Sequence, residues 1–303
     1  MAHLPDFEAW AIFAKVAEHG SFSAAARELG ISKATVSKAV SRLEARLGAP
    51  LFHRTSRRLS LTTGGRASAE RAQRILREGE AAEEEASAQS SDLRGQVRLM
   101  APLSFGIRYV GPLLPAFLER FPGLTVDLVL ADQVVDIVAQ GFDVAIRIGT
   151  LGDSSLRARR LCDIAGQVVA APAWFDRHGR PEHPRALEGA PALLYSNLSL
   201  PELWQFRHPK ESEASVRVTA RMTANNGDAL VPALVAGLGI AALPAFLVSD
   251  ALRAGALERV LADWSILAAG LHIVTPPGTI RPARVTALID YLVEALSAAP
   301  WAR

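Results

Sequence analysis

Apolar residues recur every three or four positions near the start of the chain, a spacing that predicts short amphipathic helices. The first is expected over Phe7–His19, where one side carries Phe7, Trp10, Ala11, Phe13, Ala14 and Ala17. Gly20 should end this helix, since glycine readily adopts the left-handed conformation found at helix ends. Ser21 or Ser23 is placed to cap a second helix, over Ala24–Leu29.

A third helix is predicted over Lys33–Leu47, capped by Ser32 and closed by Gly48. One stripe of it is apolar and should pack inward: Val36, Val40, Leu43 and Leu47. The opposite stripe holds small and hydrogen-bonding residues with one cation: Ala34, Ser37, Lys38, Ser41 and Ala45. Such a face can enter a DNA major groove without steric conflict, although a surface helix that is merely rich in Ala and Ser would look the same.

Pro50–Thr63 has the pattern of a small hairpin, or wing, around the basic turn His53–Arg58. Beyond it, Gly65–Ser91 is rich in Ala, Glu and Arg and contains no proline, which favours one long helix. Its apolar and small residues recur at intervals of three or four: Ala72, Leu76, Gly79, Ala82 and Ala86. This stripe predicts pairing with a second copy of the helix in a homodimer, and the alternative is a solvated single helix.

The rest of the chain alternates between strand-like and helix-like segments. Strands are predicted over Val97–Ala101, Leu124–Leu130 and Phe142–Ile148. Helices are predicted between them, over Tyr109–Arg120 and Val134–Gln140. This alternation predicts an α/β fold with a mainly parallel, doubly wound sheet.

A second α/β unit is predicted from Gly166 to Trp264, after which the strand Gly270–Thr275 and the helix Ala283–Ala298 close the chain. The expected organisation is a winged helix-turn-helix, a linker helix and a two-lobed α/β domain. Their bounds are 1–63, 64–92 and 93–303, with 93–165 and 269–303 in the first lobe and 166–268 in the second.

Charge is divided unevenly along the chain, although the whole carries a formal net charge of only +2. Residues 1–63 hold nine Lys and Arg against five Asp and Glu, a formal +4, so the remainder carries −2. A basic head on a slightly acidic body is typical of a DNA-binding module joined to a module with another ligand. No apolar run is long enough to cross a membrane, and the N-terminus lacks the order of a signal peptide. We therefore expect a cytoplasmic protein without a membrane partner.

Catalytic chemistry is not indicated by any motif. The nucleophile elbow Gly-x-Ser-x-Gly, the P-loop and a Gly-x-Gly-x-x-Gly after a first strand are missing. Cys162 is the only cysteine, and the seven histidines lack metal-ligand spacing. We expect no catalytic residue, no metal and no cofactor. An enzyme and a transport receptor are the competing interpretations, and the long N-terminal head argues against the receptor.

The N-terminal part of the chain resembles the winged helix-turn-helix of LysR-type transcriptional regulators. The residues that carry the resemblance are Phe13, Val16, Gly20–Ala26, Leu29, Ser32, Val36–Lys38, Val40, Leu43–Glu44, Leu47–Gly48, Leu51–Arg54 and Leu61–Gly64. The likeness continues through the linker helix and the C-terminal domain, so it covers nearly the whole chain. It implies a sequence-specific regulator whose sensor domain is similar to periplasmic binding proteins, with an effector held between two α/β lobes.

The resemblance also implies roles for the residues that match the family's positions. The positions that face the major groove hold Lys33, Ala34, Ser37 and Lys38, to which the helix pattern adds Ser41. The positions that hold backbone phosphates carry Ser23, Thr35, Arg54 and Arg57, and the further candidates are Arg42 and Arg58. For Arg57 and Arg58 the alternative is a pair of solvated charges. Many family members have Gln-Pro where this chain has Lys33-Ala34, which leaves the operator sequence open.

Ligands of open α/β sheets bind beyond the carboxyl ends of the strands. Ser104 follows the first predicted strand at a helix start, where free amides would favour an anion. Arg147 ends the third predicted strand, where a buried cation needs an anion beside it. A salt bridge to Asp132, Asp143 or Asp153 is the alternative. We expect a small polar or anionic effector, such as a carboxylate.

Further residues match positions that line the cleft in relatives. The expected effector-binding set is Ser104, Phe105, Arg147, Gly149, Ser196, Asn197 and Asn226. Asp228 is expected instead to cap the helix that follows it. The basic run Arg157–Arg160 is expected at the surface or at an interface. A regulator without an effector stays open as a third interpretation, because a cleft can be vestigial.

Pairing of the linker helices would give the protein twofold symmetry, which predicts an inverted-repeat operator in double-stranded DNA. The family resemblance also implies tetramers built as dimers of dimers. The expected partners are therefore double-stranded DNA, a small effector and further copies of the chain.

Overall fold

The computed structural model describes residues 4–54, 59–86, 93–133, 135–152, 155–266, 269–278 and 281–297. The chain divides into two compact units. The first consists of Met1–Leu93 with two short segments, Asp136–Gly141 and Gly278–Ala283, and the second holds the remainder.

Residues 4–86, here called the head, form three short helices, a two-stranded antiparallel hairpin and a long helix. They are α1 (Phe7–His19), α2 (Phe22–Glu28), α3 (Lys33–Leu47), β1 (Phe52–Arg54), β2 (Leu59–Leu61) and α4 (Thr63–Ala86). The side chains of Asp6, Ser21 and Ser32 accept backbone N–H groups at the starts of α1, α2 and α3. Gly20 and Gly48 end α1 and α3 with φ angles of 58° and 67°. The predicted helix-turn-helix is confirmed, except that α2 begins earlier because its cap is Ser21.

One apolar core holds the head together. The first and third helices contribute most of it, through Ala9, Ile12, Phe13, Val16, Val36, Ala39, Val40 and Leu43. The hairpin joins this core through Phe52, whose ring meets Phe13 edge-on with 5.4 Å between the centroids. Phe7 and Leu47 were expected inside but are 56% and 44% exposed. Both are terminal residues of their helices, Phe7 the first of α1 and Leu47 the last of α3.

Part of the small-residue stripe of α4 packs into the core of the head to which the helix belongs. Ala69 and Ala72 are buried in the head core, and Leu76 is half-buried against it. The prediction that Ala72 faces a second copy of the helix is therefore wrong, since its own chain covers it. Farther along the stripe, Ala82 is exposed and Gly79 has open space beside it.

The C-terminal domain has the α/β composition expected from its sequence. Its strands are β3 (Gly95–Ala101), β4 (Leu124–Leu130), β5 (Val144–Gly149), β6 (Arg157–Ile164), β7 (Gly166–Ala170), β8 (Pro191–Tyr195), β9 (Leu203–Arg207), β10 (Ala214–Arg217), β11 (Thr219–Ala224), β12 (Ala241–Pro244), β13 (Glu258–Val260), β14 (Ser265–Ile266) and β15 (Ala269–Thr275). Its helices are α5 (Leu103–Phe105), α6 (Leu114–Arg120), α7 (Pro172–His178), α8 (Val231–Val235), α9 (Ala245–Arg253) and α10 (Ala283–Ser297), with a π turn at Gly106–Val110 and 3-10 turns at Gly111–Leu113 and Pro184–Leu187.

The first lobe is a five-stranded sheet in the order β4-β3-β5-β15-β6. β3 pairs in parallel with β4 and β5, whereas β15 is antiparallel to both β5 and β6. Four of the five strands, β4, β3, β5 and β6, therefore run in the same direction, as a mainly parallel sheet predicts, and β15 alone is reversed. β15 enters from the second lobe at the edge where β5 and β6 end, so it has to run in the opposite direction.

The helical segments of the first lobe differ from the predicted ones. The helix predicted over Tyr109–Arg120 begins earlier, because α5, the π turn, a 3-10 turn and α6 follow one another from Leu103 onward. The helix predicted over Val134–Gln140 does not form in its described part. Asp136 caps a single turn by accepting two backbone N–H groups, and Gly141, with a φ of 72°, ends it.

The second lobe consists of three small sheets in the orders β12-β7-β13, β11-β8 and β10-β9-β14. Only β11 and β8 pair in parallel among these strands, so the prediction of a mainly parallel sheet is wrong for the second lobe. Aromatic rings dominate its core: Trp174, Phe175, Trp204, Phe206 and Trp264. α10 then returns to the first lobe, where the Tyr291 ring packs on Phe117 of α6 at 5.3 Å. None of the helices in the described residues is long and apolar enough to cross a membrane.

Candidate nucleic-acid interface and ligand cavity

The outer face of α3 is open to solvent along most of its length. Its other side is buried through Val36, Ala39, Val40 and Leu43, and this packing fixes the helix to the rest of the head. On the open side the exposed residues are Ala34, Thr35, Lys38, Ser41 and Ala45, and Ser37 is half-buried. The helix therefore presents small and hydrogen-bonding side chains on a well-packed support.

Lys33 and Lys38 supply the positive charge of this face. Both side chains are exposed, and within the described residues neither forms an ion pair. Both amines are therefore available to an anionic partner such as a phosphate or a base edge with acceptor atoms.

Arg42 differs from these lysines because two carboxylates already engage it. Its Nε lies 2.5 Å from Asp6 Oδ2, and its Nη2 lies 3.5 Å from Glu8 Oε2. The hydrogen bond from Arg42, with a second from the backbone N–H of Ala9, holds the pKa of Asp6 below its usual value. A phosphate would therefore have to compete with Asp6 for this guanidinium.

The other candidate DNA contacts are distributed around α3. Ser23 is exposed on α2, and the Thr35 hydroxyl lies 2.8 Å from the hydroxyl of the capping residue Ser32. Arg54 is the last residue of β1. Arg57 and Arg58 lie outside the described residues.

A carboxylate of α3 ties the wing to the helix. Glu44 Oε1 accepts the backbone N–H groups of Leu51 and Phe52, at 2.8 and 3.3 Å. These bonds connect the first strand of the wing to the helix that carries the open face. The sequence pattern assigned no such role to Glu44.

A hydroxyl ties the other end of the wing to α4. Thr62 Oγ1 donates to the carbonyl of Pro50 at 2.9 Å and accepts the N–H of Gly65 at 2.9 Å. Thr62 is buried, and it acts as the cap of the long helix. Gly65 packs directly against the Leu51 carbonyl, where a Cβ would overlap the oxygen and lie 3.0 Å from the carbon.

The C-terminal domain contains a cavity of about 520 Å³, within the range of small-molecule sites. Most of its lining is apolar, including Met100, Phe105, Ile146, Leu243, Phe246 and Leu247. Its polar lining is sparse: Ser104, Asp132, Gln133, Arg147, Thr150 and Tyr195. A ligand that fits this cavity would have an apolar body and few polar groups.

A carboxylate of the chain occupies the helix start that the sequence suggested for an anion. Asp132 Oδ1 accepts the N–H of Leu103 at 2.9 Å, so the expectation of free amides there is wrong at Leu103. Asn226 Nδ2 donates to Asp132 Oδ2 at 2.8 Å and to Ser104 Oγ at 3.1 Å. From the sequence, Asp132 is a candidate only as a partner of Arg147, and its contact with the Leu103 backbone leaves no local signal.

Arg147 lines the cavity without a carboxylate partner among the described residues. Its Nη2 donates to the carbonyl of Val135 at 2.7 Å. The expected alternative, a salt bridge to Asp132 or Asp143, is absent, and Asp143 accepts the backbone N–H of Arg98 instead. The third partner considered, Asp153, lies outside the described residues. Arg147 therefore keeps donors for a ligand.

The remaining effector candidates divide into two groups. Phe105 and Gly149 line the cavity with Ser104 and Arg147. Asn197 and Asn226 lie in the polar network beside the cavity. The backbone N–H of Ser196 donates to the carbonyl of Ala224, the last residue of β11.

Asn197 joins three segments of the C-terminal domain. Its Nδ2 lies 3.1 Å from the Tyr195 hydroxyl, 3.1 Å from the Asn225 carbonyl and 3.3 Å from the Asp132 carbonyl. Burial raises the pKa of the Tyr195 hydroxyl, although the hydrogen bond from Asn197 acts in the opposite direction. Tyr195 therefore offers the cavity a neutral hydroxyl.

Asp228 does not cap a helix as expected. The cap position of α8 is held by Leu230, and the Asp228 carboxylate lies 2.5 Å from Arg108 Nη2. The Asn226 side chain accepts the N–H of Asp228, which forms a local turn before the helix. Arg108 of the first lobe therefore forms an ion pair with the second lobe.

The basic run on β6 lies at the surface as expected. Arg157, Arg159 and Arg160 are all exposed on this edge strand, and Arg160 pairs with Asp163. Within the described part of the chain, no group of three His, Cys, Asp or Glu side chains could hold a metal ion.

Two family models match the chain. The model described as "Bacterial regulatory helix-turn-helix protein, lysR family" covers residues 7–66. The model described as "LysR substrate binding domain" covers residues 90–297. The first match contains the open face of α3, and the second contains the cavity.

Similar proteins align over most of their length. An HTH-type transcriptional regulator of Xanthomonas campestris pv. campestris is 37% identical over 289 residues, which are 94% of this chain and 84% of that protein. PtxR of Pseudomonas aeruginosa, also an HTH-type transcriptional regulator, is 36% identical over 95% of this chain and 92% of its own. The structure of CrgA, a LysR-type transcriptional regulator from Neisseria meningitidis, is similar with a TM-score of 0.57 at 30% identity, over 99% of this chain and 100% of that chain.

Proposed function

Because the chain belongs to the LysR family of transcriptional regulators, we propose that it reads a DNA operator through α3 and adjusts that binding to a small anionic or polar effector. Members of this family are regulators and not enzymes. The helix-turn-helix is the DNA-binding part, and the LysR substrate-binding domain is the effector-binding part. We expect the protein to act in the cytoplasm, where the chromosome lies.

The observation that carries the DNA-binding proposal is the open face of α3 with two lysines, Lys33 and Lys38, that form no ion pair with any described residue. Lys38, Ser37 and Ser41 offer hydrogen-bond donors to base edges, and Ala34 allows the helix to approach closely. Lys33 stands at the N-terminal end of the helix, within the first turn that enters a major groove in this kind of motif.

Phosphate contacts are proposed around this helix. The residues assigned to them are Ser23, Thr35, Arg42, Arg54, Arg57 and Arg58. Such contacts position the head on the duplex without reading its sequence. Among these residues, Arg42 is the weakest candidate for a phosphate contact, because Asp6 and Glu8 already neutralise part of its charge.

The affinity for DNA should fall steeply with salt. Each phosphate that a cation neutralises releases counterions and adds about −0.9 to the slope of log affinity against log salt concentration. Fluorescence anisotropy with a labelled duplex, between about 50 and 200 mM salt, measures this slope. An affinity that does not change with salt, or no affinity for any duplex, would contradict the proposal.

The observation that carries the effector proposal is Arg147, a cation that lies at the wall of a mostly apolar cavity and has no carboxylate partner among the described residues. Ser104, Phe105 and Gly149 line the same cavity. Ser196, Asn197 and Asn226 are proposed to contribute from the adjoining polar network. The proposed effector is an organic molecule with a carboxylate or another anionic group.

Arg147→Ala should weaken the binding of an anionic effector by roughly tenfold or more, since hydrogen bonds to charged groups contribute about 1.5–3 kcal/mol. Thermal-shift measurements with a panel of organic acids and uncharged compounds would detect this loss. Arg157→Ala is the matched control, because it removes the same charge from an exposed position on the edge strand β6. Binders that are all uncharged, or an unchanged response in Arg147→Ala, would exclude the anionic effector.

Dimerisation is proposed through the part of α4 beyond the head core, where Gly79 and Ala82 remain uncovered. The small side chains would let two such helices approach closely. A homodimer would present two heads to an inverted-repeat operator, and tetramers would follow as dimers of dimers. Light scattering of the purified protein gives the oligomeric state, and sequencing of the DNA it retains gives the symmetry of the operator.

A further inference from the structure

Three polar side chains form a row across the first-lobe sheet. His272 of β15 lies directly opposite Arg147 of β5 on one side and Arg160 of β6 on the other. Residues that face each other across antiparallel strands have Cβ atoms about 4.5–5.5 Å apart and point to the same side of the sheet. His272 therefore has the cavity's cation as its direct neighbour.

The imidazole of His272 has no hydrogen-bond partner among the described residues, and its Nδ1 is buried. His183 and His208 differ, because the Nδ1 atom of each accepts backbone N–H groups. A buried imidazole nitrogen without a partner is unusual, since nearly all buried polar groups in proteins are hydrogen-bonded. The neutral tautomer with its proton on Nε2 leaves Nδ1 as an unfilled acceptor and makes Nε2 a donor.

The imidazole ring packs over Gly270, near the start of β15. A Cβ at Gly270 would overlap the ring carbon Cε1 and lie 2.9 Å from Nε2. Gly270 is opposite Gly149, which lines the cavity. The cavity is also lined by Val274, two residues after His272 on the same side of β15. His272 is not itself part of the cavity lining, but on its face of the sheet it lies between two positions that are, Arg147 and Val274.

The charges around this row favour an anion. Arg160 is compensated by Asp163, whereas Arg147 has no carboxylate partner in the described chain. One guanidinium and one imidazole thus occupy neighbouring positions on one face of the sheet, at the border of a cavity that is otherwise largely apolar. Two donors of this kind suit the two oxygens of a carboxylate.

We propose that His272 is a second effector-recognising residue, which donates from Nε2 to the carboxylate that Arg147 also binds. The effector is then a carboxylate with an apolar body, the body packing against residues such as Phe105 and Phe246. This inference rests on the proposed function and deepens it, because it assigns a residue and a ligand class to the same cavity.

The test compares variants of the full chain by calorimetric titration with octanoate and 3-phenylpropanoate, each beside its primary amide. His272→Phe keeps a ring but removes both nitrogens, and His272→Gln keeps a donor near the position of Nε2. Gly270→Ala leaves His272 in place in the sequence but forces its ring to move.

The wild type should bind at least one acid more tightly than its amide. His272→Phe and Gly270→Ala should weaken the binding of the acid roughly ten- to hundredfold, as expected for a hydrogen bond to a charged group, and leave the amide unaffected. His272→Gln should retain most of the affinity. If His272→Phe does not fold, the comparison of Gly270→Ala with His272→Gln decides the question.

Two results would overturn the inference. One is acid binding that stays the same in His272→Phe and Gly270→Ala but is lost in Arg147→Ala, which would leave the proposed function intact without His272. The other is a wild type that binds neither acid. If the DNA footprint of such a protein still changes with an uncharged compound, the protein does sense an effector, and that effector is not a carboxylate.

Discussion

Gly65→Ala is expected to destabilise the head by about 3 kcal/mol, at the upper end of what overpacking costs in a well-packed site. The new Cβ would overlap the Leu51 carbonyl oxygen and lie 3.1 Å from Thr62 Oγ1. Both neighbours are fixed: Leu51 is held by Glu44, and the Thr62 hydroxyl is bonded to Pro50 and to Gly65 itself. Because backbone has to move, the wing and the start of α4 would separate, and affinity for DNA should fall with stability.

The adjacent glycine provides the control. A Cβ at Gly64 would meet only Thr62 Oγ1, at 4.0 Å, so Gly64→Ala should be tolerated or even stabilising because alanine favours a helix over glycine by about 1 kcal/mol. Hydrogen exchange of the amides in α3 reports the stability of the head separately from that of the C-terminal domain. Equal protection in the two variants would show that the wing does not depend on this close approach.

Lys38→Ala is expected to lower affinity for the operator by about 1–3 kcal/mol, or roughly 5- to 150-fold, if the amine contacts a base edge. The side chain is exposed at the centre of the open face and has no ion-pair partner among the described residues, so its loss leaves the head intact. Affinity for a scrambled duplex should fall much less, because most of that binding comes from phosphate contacts.

Lys210→Ala tests whether the effect follows from charge alone. It removes the same charge from an exposed lysine of the C-terminal domain and should leave both affinities unchanged. Anisotropy titrations of operator and scrambled duplex at one salt concentration give the ratio. If Lys38→Ala reduces both affinities equally, Lys38 contacts a phosphate and the reading of bases lies with other residues.

The helix-turn-helix could be predicted from sequence because its signals are local. Ser21, Ser32, Gly20 and Gly48 act within a few residues of the helix ends they define. The wing's attachments could not be predicted in this way. Glu44 reaches Leu51 across a turn, and such a contact leaves no periodic trace in the sequence.

The C-terminal domain shows where such reasoning stops. The predicted strands formed, yet the direction of β15 depends on where the chain returns from the second lobe, which hydrophobic patterning does not reveal. The structure brings Ser104 and Arg147 to one cavity, as expected from strand ends. The occupation of the Leu103 amide by Asp132, 29 residues farther along the chain, has no sequence signature.

The attachments of the wing have a consequence for the thermodynamics of DNA recognition. Glu44 secures β1 to α3, and Thr62 secures the end of the wing to the start of α4. The described parts of the wing therefore hold their position relative to α3 before DNA arrives, and binding should order little additional backbone. A preorganised surface of this kind keeps the loss of conformational entropy on binding small. More of the favourable free energy of each contact with DNA therefore contributes to the affinity.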